Sequence, residues 1–215
     1  MRTLIAIPCM DTIPVGFAQS LIYLKKGDNV SVLFKPNSLI YDSRNLISLT
    51  AIENNFDRVM WFDSDTMFQP DTLQTLHNDM DELGCEMVSG LYVKRTTPVT
   101  PVIYDELSEP IRDDTGRLVQ NIHPYMNYPR NDIFTIAGCG FGCVLTSVKL
   151  LKEVWDNFGP AFNPFPWAGE DISFCYRVNQ LGHIIYCDSS VSCGHIGTYV
   201  YTEDLLKGSE PDAST

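Results

Sequence analysis

The chain has 215 residues and a formal net charge of −12, with 44% hydrophobic and 20% charged residues. That length carries one sizeable core, and so acidic a surface repels nucleic-acid phosphate and anionic membranes at long range. No apolar run approaches the ~20 residues that span a bilayer. The apolar start "MRTLIAIP" is too short for a secretory signal, so the seven cysteines are expected as reduced thiols in a cytoplasmic compartment.

In chain order, "RTLIAIP" is an apolar run stopped by Pro8 and predicts a buried strand. "PVGFAQSLIYLKKGD" has helical spacing, lysines in its last turn and Gly27 placed to cap it. "NVSVLFK" predicts a second strand, "SLIYDSRNLISLTAIENN" a second helix, and "DRVMWF" a third strand that runs straight into "DSDT". "QPDTLQTLHNDMDELG" is a helix with Pro70 near its first turn and Gly84 at its end, and "CEMVSGLYV" is a fourth strand. Strands alternating with helices in this way predict a mostly parallel α/β sheet. Ligands bind beyond the carboxyl ends of strands in such sheets.

Residues 94–135 break the pattern. They are rich in Pro, Thr and Asp, with short strand candidates "PVIYD" and "RLVQ", and predict a small irregular β region able to cover a site. "FTIAGCGFGCVLTS" is apolar and glycine-rich, "VKLLKEVWDNF" is helical, and "NPFPWAGEDISFCYRVNQLG" is an aromatic loop leading into a helix from Glu170 to Gly182. "HIIYCDSSVSCGHIG" is a last strand plus a loop, and residues 206–215 are expected to be a disordered tail. The expectation is one domain over 1–205.

Three constellations carry chemistry. Asp63-Ser64-Asp65 is either a polar turn closing a strand or a carboxylate pair for Mg²⁺ or Mn²⁺. Glu170 and Asp171 are either acids favoured by a helix dipole or a general base on a rigid helix end, with Gly169 allowing close approach. His195 is either a satisfied histidine or a ligand left accessible by flanking glycines. A zinc cluster of Cys187, Cys193 and His195 is set aside for want of a CxxC knuckle. "AGCGFGC" fits neither a dinucleotide fingerprint nor a P-loop. Its Gly138, Cys139 and Gly140 instead let backbone approach a sugar or diphosphate. Trp167 either anchors its loop or walls a sugar pocket.

"SRN", "WFDSDT", "GLYVKR", "GCGFGCVL", "WAGEDISFCYRV" and "CGHIG" follow one another in this order. The set resembles GT-A-fold glycosyltransferases, in particular the compact family-2-like enzymes of bacteria and phages, over about residues 2–200. The resemblance implies a GT-A sheet with a nucleotide-binding half (1–95) and an acceptor-binding half (96–205). It implies Mn²⁺ or Mg²⁺ held by Asp65, with Asp63 and His195, and a nucleoside-diphosphate-sugar donor, most commonly a UDP-sugar. Pro8, Cys9, Met10, Asp11, Arg44, Asn45, Asp63 and Ser64 fall where the nucleotide sits. It implies that Asp171 is the base of an inverting transfer and that Glu170 orients the acceptor; beside it, the glycine-rich and aromatic segments lead to Gly138, Cys139, Gly140, Trp167 and Gly169 as the expected sugar or acceptor pocket. A retaining mechanism stays open. The acceptor is left open among glycan, lipid-linked sugar, protein and modified nucleobase. Two other readings stand beside this one: a catalytically inactive GT-A-like binding module, and a haloacid-dehalogenase-type phosphatase with its aspartate pair after a strand.

Overall fold

The computed structural model describes residues 1–36, 38–108, 110–119, 122–197 and 199–207. The first half runs β1 (Thr3–Cys9), α1 (Val15–Tyr23), β2 (Val30–Pro36), α2 (Ile40–Glu53), β3 (Arg58–Phe62), β4 (Thr66–Met67), α3 (Thr72–Leu83) and β5 (Met87–Leu91). There follow the short strands β6 (Ile103–Tyr104), β7 (Ile111–Arg112) and β8 (Leu118–Val119), then β9 (Ile133–Ile136), β10 (Gly138–Cys139) and β11 (Cys143–Ser147). The chain continues through α4 (Val148–Phe158), α5 (Glu170–Gln180), β12 (Ile185–Ser192), β13 (Gly194–Ile196) and β14 (Val200–Tyr201). The expected tail lies outside the described residues from 208 on.

Seven strands form the central sheet in the order β2-β1-β3-β11-β5-β12-β9. β1 lies parallel to both β2 and β3, with Thr3 opposite Val30 on one side and Arg58 on the other. The alternation of strand and helix in residues 1–90 predicts this parallel trio. It does not predict β11, which enters antiparallel between β3 and β5 and sets Val144 opposite Trp61. β12 is parallel to β5, and β9 closes the far edge antiparallel to β12.

Each face of the sheet carries its own core, because strand side chains alternate. On β3, Val59 and Trp61 pack towards one side with Ile47, Val154, Phe162 and Phe174, the side of α2, α4 and α5. Met60 and Phe62 pack towards the other with Phe17, Leu73, Leu76 and Met80, from α1 and α3. The Trp61 indole N–H donates to Thr146 Oγ1 (2.9 Å), so this fully buried ring leaves no donor unpaired.

Gly84 caps α3 as its position predicts, in the left-handed region at φ 60°. α1 departs from expectation. It ends at Tyr23, four residues before Gly27, because the Lys25 N–H leaves the helix to bond the Pro70 carbonyl (2.7 Å). Lys26 Nζ then satisfies the Leu21 carbonyl (2.6 Å), so a lysine side chain does the capping assigned to Gly27. The loop expected after β12 is also ordered as strand. β13 pairs antiparallel with β4 on one side and β14 on the other. Among the described residues, no helix is long and apolar enough to cross a membrane.

Candidate active site

A cleft of about 460 Å³ opens at the carboxyl ends of β1 and β3. Pro8, Cys9 and Met10 line it from the end of β1, and Asp63, Ser64 and Asp65 from the turn after β3. The start of α2 contributes Ser43 and Arg44, the start of α5 contributes Glu170 and Asp171, and β13 contributes His195. Residues over 180 positions apart therefore meet in one space.

Arg44 organises one wall. Its guanidinium is 2.7 Å from Asp63 Oδ1 and 3.3 Å from Glu170 Oε1, and it lies 5.0 Å from the centroid of the Phe141 ring. Burial opposes its charge, but Asp63, Glu170 and Asp171 outweigh that and raise its pKa, so it stays a cation. Among the described residues, two of its buried nitrogens, Nε and Nη1, have no hydrogen-bond partner, Nη1 meeting Glu170 only as an ion pair. Asp63, expected near the ribose or a metal, thus pairs through Oδ1 with an arginine.

Asp65 and His195 form the second group. The Ile196 N–H donates to the Asp65 carbonyl (2.8 Å), and β13 sets His195 opposite Thr66. His195 Nε2 comes within 3.5 Å of Asp65 Oδ1. Its Nδ1 is 2.8 Å from the Val93 carbonyl oxygen, which can only accept, so Nδ1 carries the proton. In the neutral ring the Nε2 lone pair then faces a carboxylate oxygen. Two acceptors confront each other there, which suits a cation between them or a second proton on the ring. Burial acts to raise the Asp65 pKa, but His195 and Arg95 outweigh it, and the net shift is downward.

Asp171 is half-buried at the first turn of α5, whose N-cap Gly169 supplies no side-chain cap. Its Oδ1 accepts the Ile172 N–H at 2.7 Å. Desolvation, and then the neighbouring charge of Glu170, push its pKa up to about 6, against the pull of Arg44. That is a useful range for a base working near neutrality. Tyr92 lies under this side of the cleft, its phenol held well above its ordinary pKa by burial and by Asp63 and Asp171. Its ring centroid is 5.5 Å from that of His195.

Several expected site residues lie elsewhere. Gly138, Cys139 and Gly140 are buried and do not line the cleft. A Cβ at Gly140 would collide with the Tyr92 hydroxyl, and one at Gly142 would sit 2.7 Å from the Tyr92 ring. The glycines of "GCGFGC" at 140 and 142 thus make room for a tyrosine. Asn45 points away from the cleft: it accepts from the Phe162 N–H (2.8 Å) and bonds Asn163 (3.0 Å), pinning the loop before α5. Asp11 is exposed outside the lining. Trp167 stacks on Phe165 at 4.8 Å and lines, with Gly169, Arg117 and Leu118, a separate depression. Sequence reasoning missed Arg95, which lines the cleft and bonds Asp65. The signal was the basic pair closing "GLYVKR" at a strand's carboxyl end.

No protein-family model and no curated protein sequence matches the chain. Solved structures do. A197 from STIV superposes with a TM-score of 0.67 at 18% identity, covering 92% of this chain and 86% of that one. A crystal structure of GalNAc-T7 with UDP, GalNAc and Mn²⁺ gives a TM-score of 0.59 at 12% identity, covering 98% of this chain. The fold is GT-A-like. This chain spans 46% of GalNAc-T7, and at such identities the likeness extends to the architecture alone.

Proposed function

We propose that the chain is a metal-dependent glycosyltransferase that moves a sugar from a nucleoside-diphosphate sugar, a UDP-sugar first among candidates, to an acceptor hydroxyl with inversion. The observation that carries this reading is the meeting of two groups in one cleft on this fold: Asp65 with His195, and Glu170 with Asp171. The GalNAc-T7 structure, which holds UDP and Mn²⁺, supports the choice of donor and ion.

Among the described residues, no group of three His, Cys, Asp or Glu converges on one metal position. Two donors fit Mg²⁺ or Mn²⁺ nonetheless, since such ions are commonly held by one or two protein ligands plus phosphate oxygens and water. Asp65 and His195 would hold the ion through Oδ1 and Nε2, and the Val93 carbonyl fixes the histidine tautomer that presents Nε2. When bound, the cation supplies Lewis-acid neutralisation of the leaving diphosphate.

The remaining roles belong to the chain's own side chains. Asp171 accepts the acceptor hydroxyl's proton. Glu170, tied to Arg44, orients the acceptor while Arg44 keeps Asp63 and Glu170 from repelling each other. Pro8 to Met10, Ser43 and Ser64 bound the nucleotide. On this reading 1–95 is chiefly the nucleotide half and 96–205 the acceptor half. Asp63, paired to a buried guanidinium, is poorly placed as the free nucleophile of the phosphatase reading.

The test is UDP release from a panel of UDP-sugars with Mn²⁺. Excess EDTA is expected to abolish turnover, and Asp65→Ala to weaken UDP binding in Mn²⁺ by about tenfold or more. Full turnover in EDTA would sink the metal assignment. UDP-sugar binding with no hydrolysis or transfer would favour the inactive binding module.

A further inference from the structure

The two arginines of the cleft are built differently. Arg44 has a side chain 3% exposed, held by two carboxylates and by Phe141 and Phe162. Arg95 is 49% exposed and sits on the loop after β5. Its Nη1 donates to Asp65 Oδ2 at 2.8 Å and to the Ile196 carbonyl at 3.2 Å. A half-exposed ion pair of this kind is weak and readily exchanged. Its stem passes close to Gly197, where a Cβ would come within 2.9 Å of the Tyr201 ring and 3.1 Å of Arg95 Cδ, so both side chains lie against this stretch of backbone beside His195.

The carboxylate it holds is the one proposed to bind a cation. Asp65 Oδ2 faces Arg95 while Oδ1 faces His195 Nε2. A divalent cation at Oδ1 and Nε2 would place two positive centres on one carboxylate, and the guanidinium, being exposed and singly charged, is the one that yields. It need not travel far, because Arg95 already lines the cleft with Pro8, Ser43 and Ser64. Its planar fork matches two phosphate oxygens.

We propose that Arg95 is a displaceable counter-ion of Asp65: it gives up the carboxylate to an incoming divalent cation and turns to the diphosphate that arrives with it. This rests on the metal-dependent reading above. The consequence is thermodynamic. Cation and nucleotide strengthen each other's binding, by the same factor in both directions, and Arg95 carries part of that factor.

The test is a set of binding titrations on the full chain, with no turnover required. Mn²⁺ alone is followed by electron paramagnetic resonance, and UDP by calorimetry with and without saturating Mn²⁺. In Arg95→Gln, Mn²⁺ alone is expected to bind about three- to fivefold tighter, because its competitor is gone. UDP in saturating Mn²⁺ is expected to bind about tenfold weaker, for loss of a charge-assisted contact. Arg95→Lys keeps the competing charge and should leave Mn²⁺ affinity within about twofold of wild type, while still weakening UDP. Unchanged or weaker Mn²⁺ binding in Arg95→Gln would overturn the proposal and make Arg95 a holder of Asp65 instead. Unchanged UDP binding in both variants would overturn the second half of it. If the wild-type chain binds neither Mn²⁺ nor UDP, the metal-dependent reading falls and this proposal with it; if it binds both, the variants judge the proposal alone.

Discussion

Asp171 shows how position makes one carboxyl unlike its neighbours. Asp63 and Glu170 each have Arg44 within 3.3 Å, whereas Asp171 is desolvated beside Glu170 and titrates at about 6. In its proposed role as base it works only when deprotonated, so transfer is expected to rise as pH climbs through about 6 and to level off above. Asp171→Asn should remove that limb and lower transfer by roughly 10²–10⁴-fold, the usual contribution of a positioned base, while UDP binding stays near wild type. A pH–rate profile of wild type and variant, with UDP titration of each, checks this. Near-normal transfer by Asp171→Asn would shift the base to Glu170 or favour a retaining mechanism.

At the scale of elements, the site depends on β13. Asp65 and His195 are brought together by the short ladder of β13 against β4, and the Ile196 N–H to Asp65 carbonyl bond ties that ladder to the turn after β3. The loop between β10 and β11 has a packing role. Gly140 and Gly142 admit the Tyr92 ring, which in turn lies beside His195. Gly140→Ala forces a methyl against the Tyr92 hydroxyl and to 2.8 Å from Val102, so it should cost about 1–3 kcal/mol of stability through overpacking. Adding Tyr92→Phe removes the hydroxyl and should recover part of that loss. Urea unfolding of the two singles and the double gives the coupling. Purely additive losses would mean the two positions do not press on each other.

The whole molecule carries a second acid pair, away from the cleft. Asp79 on α3 and Asp188 on β12 are both buried, at 6% and 2% exposure, and among the described residues Asp79 Oδ2 has no hydrogen-bond donor. Desolvation, then the charge of Asp188, push the Asp79 pKa up to about 7. An unfolded Asp titrates near 4, so between these values the folded chain holds the extra proton. The stabilising contribution is therefore complete below about pH 4 and is lost as pH rises through about 7. Asp79→Asn supplies a permanent donor towards Asp188 and should flatten this dependence, stabilising the chain at pH 8 by on the order of a few kcal/mol. Urea denaturation at pH 5, 7 and 8 measures it, and an unchanged slope would show that the pair does not share a proton.

The sequence alone determined the parallel trio β2-β1-β3, the carboxyl-end position of Asp63 to Asp65 and the acids at the start of α5. Those features are local: apolar runs of strand length, helical spacing and Gly84 at a helix end act through neighbours a few residues away. What joins distant residues had no such signal. The insertion of β11 between β3 and β5, the pairing of β13 with β4, and the commitment of Asp63 to Arg44 all depend on which segments meet across the sheet. The same holds for glycines 140 and 142. Their spacing shows that backbone must come close to something, but the partner, Tyr92, is set by the packing of β5 against β11. A sequence names the groups able to bind or accept a proton; the tertiary structure decided which carboxyl faces an arginine, which a histidine, and which remains desolvated, because charge and burial act through space rather than along the chain.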